Sequence, residues 1–144
     1  MSSFNKTIVV NSDLEKLWHI LSDIRKMADL YTFMHIYDYK QEKDFLYYTR
    51  KLDIPGLATL CWQEVSQITD HTVNFNANGG DLAEFTGNWK AVNENDITLL
   101  SLNIEYEIPS GIGPNVPKFM AEAVLGQIFQ KIMETIKTTA ENKE

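Results

Sequence analysis

The chain has 144 residues, a formal net charge of −7 and one cysteine. That length is read as one domain, residues 1–144, large enough to hide roughly 70% of its unfolded surface without a metal or a disulfide. A lone cysteine excludes an internal disulfide and fits a reducing compartment, and an acidic chain with scattered basic residues is repelled by a phosphate backbone, so nucleic acid is not an expected partner.

Met1 to Lys6 carries no secretory pattern, and no apolar run approaches the roughly 20 residues of a membrane span. A cytoplasmic protein is expected, and the Asn5-Lys6-Thr7 acceptor motif carries no weight there. After a first strand, Ser12 followed by Glu15 predicts a capping box, with Leu14, Leu17, Trp18 and Leu21 at helical spacing behind it. Ser22 or Asp23 caps a second short helix through Ile24, Met27 and Leu30.

From His35 to Ile108, segments of β-branched and aromatic residues alternate with turn chemistry at Glu42–Asp44, Asp53–Gly56, Thr69–His71, Asn78–Asp81 and Asn93–Asp96. This is an antiparallel meander of about six strands. The last has the clearest period of two: Thr98, Leu100, Leu102, Ile104 and Tyr106 share the covered face, and Ser101, Asn103, Glu105 and Glu107 the wet one, where Leu99 is the apolar exception. Cys61, inside a strand, is read as a small buried hydrophobe. Gly111, Gly113 and Pro114 then break the chain, and Asn115 is the expected N-cap of a helix running to about Glu141. Its apolar stripe contains Phe119, Ala121, Leu125, Ile128, Phe129, Ile132, Met133 and Ile136. The predicted class is α+β, a curved antiparallel sheet of about seven strands closing on a long C-terminal helix, an arrangement that leaves a cavity between them.

Several chemistries lack their motifs. There is no GxxxxGK[ST], GxGxxG, CxxC, HExxH or GxSxG. His19, His35 and His71 have no metal-ligand spacing, so no metal is expected.

The hairpin around Pro55-Gly56 supplies the candidate site. A four-residue turn there pairs Leu52 with Leu60, Arg50 with Trp62 and Tyr48 with Glu64 on one face, and the apolar Leu46, Leu52, Ala58, Leu60 and Trp62 mark that face as the inner one. Glu64, Arg50 and Tyr48 would then share an apolar interior, about 5 to 7 Å apart. A carboxylate with a phenol or guanidinium beside it can remove a proton next to a ketone and polarise a second carbonyl. The same residues also read as a buried salt bridge fixing the sheet, and a slip in register leaves Glu64 in water. Trp62, Phe85 and Trp89 face inward under this pattern, Gly87 leaves room beside them for a ring, and Tyr106 joins them from the last strand. Phe119, Phe129 and Met133 are the helix residues expected to touch a ligand. Tyr31, Phe33 and His35 would stand at the entrance, with His35 a candidate for proton transfer. Val73 and Phe75 should face in, Asn74 and Asn76 out.

With these elements placed, the chain resembles the START-like helix-grip superfamily and, within it, the polyketide cyclase/aromatase branch. The residues carrying this are Val9 to Trp18 into Leu21 to Ile24, Pro55-Gly56, Cys61 to Glu64, Gly87-Asn88-Trp89 and Thr98 to Tyr106. The resemblance implies a hydrophobic polyketide-type intermediate in the cavity, folded for cofactor-independent aldol closure and dehydration, with delivery by an acyl carrier protein. Docking of that acidic carrier needs a basic patch, for which Arg25, Lys26, Lys51 and Lys118 are the candidates. The family often places an arginine on the strand matching Trp62 to Ser66. This chain has Glu64, Val65 and Ser66 there, and its second helix lacks the usual proline. The same scaffold also serves non-catalytic carriers or sensors of lipids and quinones, and regulators with a filled interior. Oligomeric state stays open.

Overall fold

The computed structural model describes residues 1–82, 84–107 and 116–142. In chain order the elements are β1 (Ser2–Val10), α1 (Leu14–Ser22), α2 (Ile24–Ala28), β2 (Met34–Glu42), β3 (Phe45–Ile54), β4 (Ala58–Thr69), β5 (Thr72–Gly80), β6 (Phe85–Glu94), β7 (Ile97–Tyr106) and α3 (Lys118–Glu141). The strands form one curled antiparallel sheet in the order β1-β7-β6-β5-β4-β3-β2. Each meander strand pairs with its neighbour in sequence, and β1 is laid against β7, so α1 and α2 bridge the two ends of the sheet. This is the α+β helix-grip arrangement expected from the element order.

Register follows from local chemistry. The Leu57 amide donates to the Ile54 carbonyl at 3.0 Å, and Gly56 has φ +77° at the third turn position behind Pro55, the signature of a type II turn. That turn sets Leu52 opposite Leu60, Arg50 opposite Trp62 and Tyr48 opposite Glu64, the expected pairing. Along β7 the burial alternates as the sequence pattern requires. Val73 and Phe75 point inward and Asn74 and Asn76 outward. At the end of β5 the ladder with β4 shifts register between Trp62 and Glu64. Gly79 and Gly80 have φ near +113° and +103° there, and a Cβ on Gly80 would stand 2.5 Å from Trp62 Cα, so only glycine lets β5 approach the Trp62 backbone. Asn78 to Gly80 therefore finish a strand as well as begin a turn.

α3 covers the inner face of the sheet with Ala121, Leu125, Phe129, Ile132, Met133, Ile136 and Ala140, all buried. Phe129 is its central contact, meeting the rings of Phe4 at 5.5 Å, Tyr106 at 5.6 Å and Phe85 at 6.3 Å. Pro117 occupies the N-cap position and makes no side-chain cap bond. Burial of the stripe, at about 1.5–3 kcal/mol for each large apolar side chain, holds this helix in place of a cap. The expected cap Asn115, and Gly111, Gly113 and Pro114 before it, lie outside the described residues.

Three local expectations are corrected. The cap of α1 is Asp13, whose carboxylate accepts from the Lys16 amide at 2.7 Å, while the Ser12 hydroxyl turns to the Asp13 carbonyl. Cys61 is exposed, because Leu60 and Trp62 on either side of it take the inner face. Phe119 is 71% exposed, one residue into α3 and off the buried stripe. The cap of α2 is Asp23, which accepts from the Lys26 amide at 3.2 Å. Among the described residues no helix is long and apolar enough to cross a membrane.

Candidate functional site

Period two along the β3–β4 hairpin delivers five polar or amphipathic side chains to the interior: Tyr48 and Arg50 from β3, and Trp62, Glu64 and Ser66 from β4. They form one network. Arg50 Nη2 donates to Glu64 Oε2 at 2.9 Å, and Arg50 Nε reaches Oε1 and Oε2 at 3.2 and 3.3 Å. Trp62 Nε1 donates to Glu64 Oε1 at 3.0 Å, and the Tyr48 hydroxyl donates to Oε2. Because that proton is spent on Glu64, the Ser66 hydroxyl at 2.5 Å must be the donor to Tyr48 Oη. The third nitrogen of the guanidinium differs in kind: Nη1 donates to the thioether sulfur of Met34 on β2, at 3.1 Å.

The electrostatics follow from burial and pairing. Glu64 is 2% exposed and Arg50 9%, and two charges at that depth persist because each neutralises the other. Burial alone would lower the pKa of Arg50, but the contacts with Glu64 and Tyr48 reverse this and hold it above the ordinary value. Burial raises Tyr48 strongly, and the Glu64 charge adds to it, so the phenol stays protonated as a donor. Tyr31 is also raised by burial, against the opposing pull of Arg50, and its hydroxyl donates to the Ile132 carbonyl of α3 at 2.9 Å.

This network forms one wall of a cavity of about 50 Å³ between the sheet and α3. Arg50 and Glu64 are its polar residues. Trp62, Phe75, Phe85 and Trp89 from the sheet, Ile128, Phe129 and Ile132 from α3, and Met27 and Met34 supply most of the apolar lining. The stacked rings of Phe75 and Phe85 lie 5.5 Å apart, and Trp62 meets Phe85 at 5.5 Å. The volume holds a few water molecules, so an organic ligand requires lining side chains to move.

Of the expected site residues, Glu64, Arg50, Trp62, Phe85, Trp89 and Phe129 line this cavity, and Tyr48 stands directly behind Glu64. Tyr106 and Met133 are buried in the surrounding core rather than at the cavity surface, with the Tyr106 phenol raised by burial and by Glu122. Tyr31 and Phe33 contact each other at 5.4 Å beside α3, and Lys131 lies over the Phe33 ring. His35 is on the outer face, 3.7 Å from Asp53, because Met34 before it takes the inner position. The room expected beside Gly87 is occupied: a Cβ there would stand 2.9 Å from Phe75 Cζ and collide with the Asn103 carbonyl. Phe119 is absent from the lining, consistent with its exposure.

Sequence reasoning passed over Ser66 and Met34. The alternation that turns Glu64 inward turns Ser66 inward two residues later, so its signal was present. Met34 had none, since only the packing of β2 against β3 brings its sulfur to Arg50. Of the candidate basic residues, Arg25 lies over the Tyr39 ring, Lys26 pairs with Asp23 and Lys118 with Glu122, while Lys51 is on the outer face of β3. Among the described residues no three His, Cys, Asp or Glu side chains converge as a metal set.

No family model matches the chain, and no curated protein matches it by sequence. Solved structures do match in fold. A START superfamily protein from Mycobacterium smegmatis superposes with a TM-score of 0.76 at 16% identity, covering 96% of this chain and 97% of that one. A protein from Thermus thermophilus gives 0.79 at 13% identity, covering 96% and 97%. The Zhui aromatase/cyclase from a Streptomyces species gives 0.72 at 10% identity, covering 97% and 91%. The chain therefore has the START-like helix-grip fold, and its structural neighbours include aromatase/cyclases.

Proposed function

We propose that this protein binds a small hydrophobic or aromatic molecule in the cavity between the sheet and α3. The observation that carries this reading is an almost wholly apolar, aromatic-lined cavity with one charged pair, Arg50 and Glu64, set into its wall. In a plain structural core such a pair adds little net stability, since well-packed apolar residues of the same volume often serve as well. A ligand site uses it to orient a polar group in otherwise undirected surroundings. Purification under gentle conditions followed by mass spectrometry of the released small molecules tests it. Recovery of one apolar or aromatic compound in stoichiometric amount is the expected result, and a protein that neither retains nor binds any such compound contradicts the reading.

A second reading, polyketide-type aldol cyclisation and dehydration, is supported by a specific arrangement. A carboxylate and a guanidinium donor stand on the same cavity wall, with a phenol in reserve behind them. In this reading Glu64 takes a proton from the carbon next to a ketone, and the resulting enolate carbon attacks a second carbonyl polarised by Arg50. The new carbon–carbon bond leaves an alkoxide that takes back the proton held by Glu64. Glu64 then removes the remaining proton from the same α carbon, and the hydroxyl leaves with that proton as water while the carbon–carbon double bond forms. Before it can act as base, Glu64 must release some of its donors, Tyr48, Arg50 and Trp62. Glu64→Gln distinguishes the readings: loss of ring closure with binding retained supports catalysis, and unchanged handling of the ligand leaves a carrier.

A further inference from the structure

We propose that Met34 is an internal gate and a stand-in for the ligand's oxygen: an uncharged carbonyl or phenolic oxygen, entering from the groove between α2 and β2, takes the place of the Met34 sulfur on Arg50 Nη1. The inference rests on the ligand-binding reading above and specifies the ligand's chemistry and its way in.

The first support is position. Outside the cavity, between α2 and β2, lies a groove of about 640 Å³ whose walls include Arg25, Tyr31 and Tyr39. Met34 belongs to the lining of both this groove and the cavity. It is 5% exposed and forms part of the partition between them. Methionine is unbranched with three rotatable bonds, so it can swing aside without moving the strand that carries it.

The second support is the hydrogen bonding of Arg50. Nε and Nη2 are engaged by oxygens of Glu64 and Tyr48, whereas Nη1 donates to a thioether. Sulfur of this kind is a weak acceptor, and a carbonyl or phenolic oxygen in its place is a stronger one. The swing that opens the partition thus also bares the donor that a ligand oxygen needs.

The third support is charge. Glu64 already balances Arg50, at 2.9 Å and out of water. A ligand carboxylate on Nη1 would add a second negative charge to an apolar enclosure that holds one positive charge. Ketones, quinones and phenols meet no such penalty, so Glu64 filters the ligand by charge while Met34 controls access.

Quenching of Trp62 and Trp89 fluorescence reads occupancy, since both rings line the cavity. Three probes share one ring system: 2-acetonaphthone, 2-naphthoate and naphthalene. Wild-type protein is expected to bind the ketone at least about tenfold tighter than the carboxylate. Glu64→Gln, which leaves Arg50 unbalanced, should reverse that order. Met34→Leu removes the sulfur and should tighten the ketone about threefold while leaving naphthalene unchanged. Equal binding of ketone and carboxylate by the wild-type protein overturns the proposal without any variant, as does a Met34→Leu effect of the same size on ketone and naphthalene. If folded wild-type protein binds none of the three, the ligand-binding reading fails and the gate falls with it, a result separate from a failure of selectivity.

Discussion

Glu64 receives donors from Arg50, Tyr48 and Trp62, so removing it strands three groups at once. Glu64→Leu should cost about 3–5 kcal/mol, because the Arg50 guanidinium is left buried without its counter-charge. Combining it with Arg50→Met should cost less than the sum of the two single changes, with a coupling of about 1–3 kcal/mol in urea denaturation. Simple additivity would mean that the two side chains are not one unit. His71 gives a second residue-scale expectation. Glu15 on α1 lies 3.0 Å from its Nε2, Asp70 faces Nδ1 at 2.6 Å, and Trp18 lies 5.2 Å from the ring. The contacts with Glu15 and then Asp70 raise its pKa. Protonation is therefore favoured in the folded state: the stabilisation is fully present below the unfolded value of about 6.5 and is lost as pH rises through the higher folded value. An NMR titration should place His71 above about 6.5, and Glu15→Gln should lower it. A value at or below about 6.5 in the wild-type protein contradicts this linkage.

Among the elements, α1 and the β3–β4 hairpin show how far local signals reach. Both Ser12 and Asp13 are good capping residues, and a capping-box pattern favours the serine. The chain instead uses Asp13, since the Ser12 carbonyl is held by the Thr98 hydroxyl from β7 at 2.7 Å. Asp13→Ala should cost about 1 kcal/mol and Ser12→Ala appreciably less, measured by thermal unfolding. The reverse order would return the cap to Ser12. The hairpin was legible because a Pro-Gly turn and a period of two leave one register that buries the apolar set. Its inner polar residues were legible for the same reason. Cys61 was misplaced where its residue type was given more weight than the alternation of its own strand. The space at Gly87 was misjudged because Phe75 fills it from the neighbouring strand, a contact with no signature in the sequence around either residue.

In the whole molecule, α3 and the sheet meet through Phe129, which touches rings from β1, β6 and β7 and also faces the cavity. Phe129→Ala should cost about 3–5 kcal/mol and enlarge the cavity. If this space is the binding site, 2-acetonaphthone should raise the melting temperature of the variant more than that of the wild-type protein. A large loss of stability with no gain in ligand response would separate the grip of the helix from the binding of a ligand. Periodicity and turn chemistry by themselves determined the order of the elements, the hairpin register and the inward aim of Arg50, Glu64 and Trp62, because these depend on residues close in sequence. Only the tertiary structure decided that Met34 caps Arg50, that Phe75 fills the space over Gly87, that Phe119 faces solvent, and that the cavity is small. Those outcomes depend on how β2, β5 and α3 approach one another, which is set by the packing of distant side chains and by no single segment.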